Sequence, residues 1–334
     1  MHSNRFTRRD VLRAAAAAGA TGLTGVATLA QAQGAAWPTK PVMMIVPFPA
    51  GGGTDAFARP LAAQFTKQTG KQLIIDNRGG AGGTVGASLA ARAAPDGSNV
   101  FMGAVHHTIA PSIYPKLDYD LQKDLIPITL VARVPQVVVV NPQRIPAKDF
   151  KEFLALVKAN PGKYNYGSAG NGTSHHLAGE LFKLQTKTFI THIPYRGAGP
   201  ALQDLMAGNC DIMFDGLGSS SNHIKGGRIK ALMVAGNKRN PAFPDVPCAT
   251  EVGLPDYTVT TWYGIWVPKG TPADIQTHIG DEVRKAIQTD ELKAIWAQQG
   301  AEFPNLTQQQ FAVFIDGEVK RWAAVVKAAN VKAD

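Results

Sequence analysis

Short apolar runs alternate along this chain with longer stretches whose apolar residues recur every three or four positions. Val42-Met43-Met44-Ile45-Val46, bounded by Pro41 and Pro47, reads as a buried strand. Thr54 then stands as an N-cap for a helix to about Lys67, with Phe57, Leu61 and Phe65 on one face and a kink expected at Pro60. A strand at 72–76, a glycine loop at 79–83, a small-residue helix through Arg92 and a strand at 100–104 follow. Four consecutive valines at 137–140 predict a further buried strand. After Asn141-Pro142 the alternation restarts. Phe150, Phe153, Leu154 and Val157 form a helical stripe that ends at Pro161-Gly162. Strands at 164–167, 189–193, 212–214, 229–234 and 259–267 enclose helices at 174–184 and 200–207, and helices alone follow at 273–288, 291–298 and 308–329. The fold class is therefore α/β. One unit spans 33–140, a second 141–260, and 261–334 is a crossover strand with a helical tail packing back on the first. Two such units joined by extended strands predict two lobes around a cleft.

The first thirty residues follow a different pattern. Arg5, Arg8, Arg9 and Arg13 precede a mild Ala/Gly/Leu/Thr stretch that closes on Ala30-Gln31-Ala32, the layout of an export signal over 1–32. Thr7-Arg8-Arg9-Asp10-Val11-Leu12 is close to the twin-arginine motif, and a general secretory signal with adjacent arginines is the alternative. The stretch is too weak for a membrane span. Removing the signal turns the net charge of +9 into 30 basic against 24 acidic residues, with no basic run of five. Aromatic residues are not interleaved with that charge, so nucleic acid is not an expected partner. In a periplasmic location, Cys210 and Cys248 either pair or remain two buried thiols.

Two glycine loops carry the candidate chemistry. Pro47-Phe48-Pro49-Ala50-Gly51-Gly52-Gly53-Thr54 and Gly167-Ser168-Ala169-Gly170-Asn171-Gly172-Thr173-Ser174 each lead from a strand into a helix start. Free backbone N–H groups and the helix dipole make such turns anion sites without any lysine. One loop per unit suits a small dicarboxylate held across the cleft; ordinary flexible turns are the alternative. Gly80-Ala81-Gly82-Gly83-Thr84-Val85-Gly86 is one residue too long for a dinucleotide fingerprint, so it reads as close packing and no cofactor is expected. The histidines show no metal-ligand spacing. His107 and His175 are placed on loops, from which they would donate hydrogen bonds to a ligand. No nucleophile elbow or carboxylate pair is present, and Ser168 has no evident base in its motif. Asp215, at a strand end before Gly216, is either a cleft acid that pairs with a ligand ammonium or a turn residue.

From Trp37-Pro38 onward the chain resembles the Bug family, periplasmic solute receptors of tripartite tricarboxylate transporters. The marks are Val46-Pro47-Phe48-Pro49-Ala50-Gly51-Gly52 with Thr54-Asp55, Asn77-Arg78-Gly79-Gly80, Pro95-Asp96-Gly97, Tyr166-Gly167-Ser168-Ala169-Gly170, Pro194-Tyr195-Arg196-Gly197, Asp211-Ile212-Met213-Phe214-Asp215 and Val267-Pro268-Lys269-Gly270. Their order along the chain carries the resemblance. It implies a two-lobed periplasmic-binding-protein (Venus flytrap) fold and no enzyme activity. It also implies a monomer that passes a small carboxylate, whether a dicarboxylate, an amino acid or an aromatic acid, to transporter membrane subunits without spanning the membrane itself; the stretch from Tyr195 to Pro272 is most similar to the amino-acid-binding members. An accessory of a sensor kinase and an exported enzyme are the alternatives. Carried over, the ligand residues are Phe48, Ala50, Gly51, Gly52 and Thr54 in the first lobe, and Ser168, Gly170, Ser174 and Asp215 in the second, with His175 a looser candidate.

Overall fold

The structure, a computed structural model, describes residues 37–329 and 331–332, so the expected export signal lies outside the described residues. Nine strands form one curled sheet: β1 (Val42–Val46), β2 (Leu73–Asn77), β3 (Asn99–Ala104), β4 (Leu125–Val140), β5 (Asn165–Ser168), β6 (Thr191–Pro194), β7 (Ile212–Gly216), β8 (Lys230–Val234) and β9 (Thr260–Pro268). The helices are α1 (Gly53–Thr69), α2 (Thr84–Ala91), α3 (His106–Ile113), α4 (Phe150–Ala159), α5 (Ser174–Thr186), α6 (Ala198–Ala207), α7 (Leu217–Lys225), α8 (Ala273–Ile287), α9 (Asp290–Ala297) and α10 (Gln308–Ala329).

The strand order is β2-β1-β3-β9-β4-β7-β5-β6, with β8 also paired to β4. β1, β2 and β3 run parallel, as do β5, β6 and β7. These two parallel groups are the halves of an α/β molecule, and β4 joins them. Its residues from Leu125 to Pro135 pair with β9, while Gln136 to Val140 pair with β7. The sequence pattern exposes only the last quarter of this 16-residue strand. Pro127, Pro135 and Arg133 interrupt the apolar run, and the register with β9 shifts twice, between Pro127 and Thr129 and between Leu130 and Ala132. Bulges of this kind absorb prolines and bend a strand, which hides it from periodicity.

Two further expectations change. Thr54 is not the cap of α1: Gly52 occupies that position, with no side-chain hydrogen bond, and the helix runs unbroken through Pro60. The segment from His106, read as loop, is the helix α3. Its Pro111 argues against a helix, but Ile109, Ala110 and Ile113 are buried in the core, and packing overrides propensity.

The helical tail supplies much of that core. On α10, Phe311, Ile315, Trp322 and Val326 lie at helical spacing and are buried, beside Trp262 and Trp266 of β9. Each large apolar side chain so buried contributes about 1.5–3 kcal/mol. Glu318 sits among them and accepts from the indole N–H groups of Trp262 at 2.7 Å and Trp322 at 3.1 Å. Cys210 and Cys248 are separate buried thiols rather than a disulfide; burial pushes the Cys210 thiol up to about 12. Among the described residues no helix is long and apolar enough to cross a membrane.

Candidate functional site

Every loop of interest leaves the carboxyl end of a parallel strand, where open α/β sheets bind ligands. β1 leads through Pro47-Phe48-Pro49-Ala50-Gly51-Gly52 into α1, and β3 leads directly into α3. β5 leads into α5, and β6 into α6. The four helix starts meet around one small cavity of about 10 Å3, lined by Gly52, Gly53 and Thr54 of the α1 start, His106 of α3, His175 of α5 and Ala198 of α6. Phe48, Ala169 and Tyr263 complete the wall. The space admits about one water-sized sphere, so a larger molecule enters only as these walls part.

Helix amino ends gathered beside one space favour negative charge there without a formal cation. The starts of α1 and α6, at Gly52 and Gly197, carry no side-chain cap, so their first amides are not answered by a local carboxylate or hydroxyl. Asp55 is the acid nearest to the first loop, and it is turned away. Its Oδ2 accepts from the Gly51 amide at 3.0 Å and from Arg59 Nε at 2.8 Å, and its Oδ1 accepts from Asn77 at 3.2 Å. It shapes the loop and is not part of the cavity wall.

The histidines are fixed by their neighbours. His106 Nδ1 accepts the Ser174 amide hydrogen at 3.0 Å, which leaves Nε2 as the N–H of the neutral ring. Burial, followed by the charges of His175 and His107, holds its pKa well below the ordinary histidine range. The rings of His106 and His175 meet edge to face at 5.5 Å. His175 Nδ1 lies 3.6 Å from Asp215 Oδ1; burial lowers its pKa and Asp215 opposes that shift.

The residues singled out from the sequence separate into three groups. Phe48, Gly52, Thr54 and His175 line the cavity. Ala50 and Gly51 sit at the exposed loop tip, beside Gly199. His107, Ser168, Gly170, Ser174 and Asp215 do not line the cavity. His107 is on α3 rather than a loop, with Nδ1 against the backbone of Ala104 and Nε2 3.4 Å from Gly83 O; burial lowers its pKa to about 4. His175 is likewise helical, the second residue of α5. Ser168 is buried, and tertiary folding gives it the basic neighbour that its own motif lacks, His192 Nε2 at 2.7 Å. Ser168 Oγ also takes the Gly170 amide at 3.0 Å, so the pair pins the second loop. Ser174 Oγ accepts from Gln136 at 3.0 Å. Asp215 is a strand residue, not a turn. Sequence reading missed Gly53, His106, Ala169, Ala198 and Tyr263. The signal for Ala198 was its place just after Pro194-Tyr195-Arg196-Gly197; Tyr263, far along the chain on β9, gave none.

A larger cavity, of about 490 Å3, lies elsewhere, beside the crossing of β4 and β9. Two of the basic side chains on its wall are already paired, Arg133 with Glu302 at 2.7 Å and Arg239 with Glu251 at 2.9 Å, and no helix start lines it. The smaller cavity is the one at which helix starts meet.

Residues 57–331 match the model of the tripartite tricarboxylate transporter family receptor. The chain belongs to this family. Among curated relatives, BugT of Bordetella pertussis is 34% identical to this receptor over 89% of the chain and 91% of the relative. A protein encoded in the tcbD-tcbE intergenic region of Pseudomonas sp. strain P51 is 35% identical, over 90% and 89%. Solved structures agree in fold. The periplasmic binding protein BugD superimposes with a TM-score of 0.86 at 33% identity, covering 89% of this chain and all of BugD. An R. palustris protein with adipate gives 0.85 at 32% identity, over 88% and 99%. MatC of Rhodopseudomonas palustris with bound malate gives 0.82 at 34%, over 87% and 100%. The receptor thus has the two-lobed periplasmic-binding-protein fold. Its family and neighbours are binding proteins, so it is a solute receptor rather than an enzyme.

Proposed function

We propose that this receptor captures a small carboxylate in the cavity at Gly52, Gly53 and Thr54 and delivers it to the membrane subunits of a tripartite tricarboxylate transporter. The observation that carries the reading is the meeting of four helix amino ends, three of them without a side-chain cap, on one small space. The lobes, at 33–140 and 141–260, close by bending at β4 and β9, and the tail from 261 onward rides on the first lobe. Ligand contacts that exist only in the closed form shift the open–closed balance. Adipate and malate in two structural neighbours support an acid of that size.

The test is a thermal-shift and mass-spectrometric screen of the purified mature protein. A ligand present at about a hundred times its Kd stabilises the folded state by about 2.7 kcal/mol. Malate, adipate or a related dicarboxylate is expected to do so, and the same acid to co-purify. If no carboxylate raises the melting temperature, the reading fails.

The route to the periplasm proposed for the chain is twin-arginine export, on the strength of Arg8-Arg9 ahead of the mild apolar stretch. Replacing both arginines with lysine is expected to leave precursor in the cytoplasm, seen by fractionation and immunoblot. Unchanged export would assign the signal to the general secretory route.

A further inference from the structure

Asp215 is completely buried on β7 and does not line the cavity. Its Oδ2 accepts the hydroxyl hydrogens of Ser219 and Ser220 from the first turn of α7. Its Oδ1 has no hydrogen-bond partner, and neither has Nδ1 of His175, which faces it. A buried carboxylate without a cation is costly, and the side chain placed to become that cation is His175. His175 also belongs to the cavity wall.

We propose that His175 is the charge partner of the ligand in the second lobe, that it takes up a proton as a carboxylate enters, and that Asp215 is a positioning residue that holds the imidazolium and never meets the ligand. This rests on the carboxylate-receptor reading and narrows it. One anionic end of the ligand is held by the α1 amides and the other by His175. An ammonium group on this wall would meet the His175 imidazolium, so the site selects carboxylic acids without an amine.

The groups around His175 are consistent with this. His106, from α3, is kept neutral by burial and by His175 itself. Tyr263, from β9, has its hydroxyl pushed upward by burial and then by Asp215, so it stays protonated. On α7, His223 is lowered by burial and by Arg228, with Asp215 opposing. On α1, Asp55 is engaged by Arg59. On β4, Gln136 reaches only Ser174 and Thr261. Asp215 is thus the anion that faces the ring before a ligand arrives.

The proton comes from solvent and leaves with the ligand. In the free receptor His175 is held below its ordinary value, and in the complex a second anion raises it. With the acid fully ionised, affinity therefore falls as pH rises from the free-state to the bound-state value, by up to about tenfold per pH unit, and levels off above it.

Titration calorimetry with malate, in two buffers of unlike ionisation enthalpy between about pH 6 and pH 8, where the acid is fully ionised, reads this directly. About one proton taken up per malate is expected. L-aspartate is expected to bind at least about tenfold more weakly than malate. His175→Gln should abolish both proton uptake and the pH slope. Asp215→Asn should weaken malate binding and flatten the pH profile while the melting temperature of the free protein shows that it is folded. Nitrogen-15 shifts of the wild-type His175 ring should move to imidazolium values on adding malate, a readout that needs no variant. Malate binding with no proton uptake overturns the inference and leaves the receptor reading intact. So does loss of aspartate binding alone in Asp215→Asn. If malate, adipate and aspartate all fail to bind, the receptor reading falls and this inference with it.

Discussion

Replacing Gly53 with alanine is expected to weaken carboxylate binding by roughly 30- to 100-fold, the equivalent of about 2–3 kcal/mol of overpacking. Gly53 is the first residue of α1 and part of the cavity wall. A Cβ at this position would stand 2.1 Å from Tyr263 Oη and 3.2 Å from Tyr263 Cζ. Tyr263 cannot easily give way, because its ring is buried and stacked on Phe57 at 4.8 Å. The strain is relieved instead by moving the α1 start, whose amides are the proposed anion site. The check is a double-mutant cycle read by calorimetry. Adding Tyr263→Phe removes the oxygen that clashes, so the double variant should recover much of the lost affinity, with a coupling of about 1–2 kcal/mol. Equal losses in the single and double variants would show that Gly53 matters for some other reason.

Gly199→Ala should cost less, roughly tenfold to thirtyfold in affinity, and by a different route. A Cβ on Gly199 would lie 2.6 Å from Ala50 O, 3.3 Å from Gly51 C and 3.4 Å from Gly52 N. All three atoms are backbone of the first loop, so no side chain can rotate away. The α6 start and the first loop must separate, which destabilises the closed form alone. If closure costs about 2 kcal/mol more, the binding-competent fraction falls by about thirtyfold. The free receptor should unfold at nearly the wild-type denaturant midpoint. Small-angle scattering should show the contraction on malate addition shifted to higher concentration. Wild-type affinity in this variant would mean that the two loops do not meet in the bound state.

Much of the fold was legible in the sequence. The strands at Val42–Val46, Ile212–Gly216 and Thr260–Pro268 and the amphipathic helices of the tail carry plain periodic signals, with boundaries off by a few residues. β4 and α3 were not, because Pro127, Pro135 and Pro111 send local signals that bulges and burial override. The site was half legible. Glycine-rich strand-to-helix turns announce free amides at helix starts, so the presence of Phe48, Gly52 and Thr54 on the cavity wall was within reach. Ser168 and Ser174 have the right chemistry, but their hydroxyls are spent on His192 and Gln136, from other parts of the chain.

The sequence by itself determined the α/β class, the two glycine loops and the family, because each depends on short local patterns and on their order along the chain. Tertiary structure decided which side chains face the cavity. His106 and His175 are 69 positions apart, and His175 and Asp215 are 40, yet each pair is in contact range. Strand order sets the second distance, since β5 and β7 are adjacent and parallel, whereas β3 stands in the other half of the sheet and His106 meets His175 only because the sheet curls. A buried carboxylate such as Asp215 takes its role from what surrounds it, and no local pattern of residues encodes that surrounding.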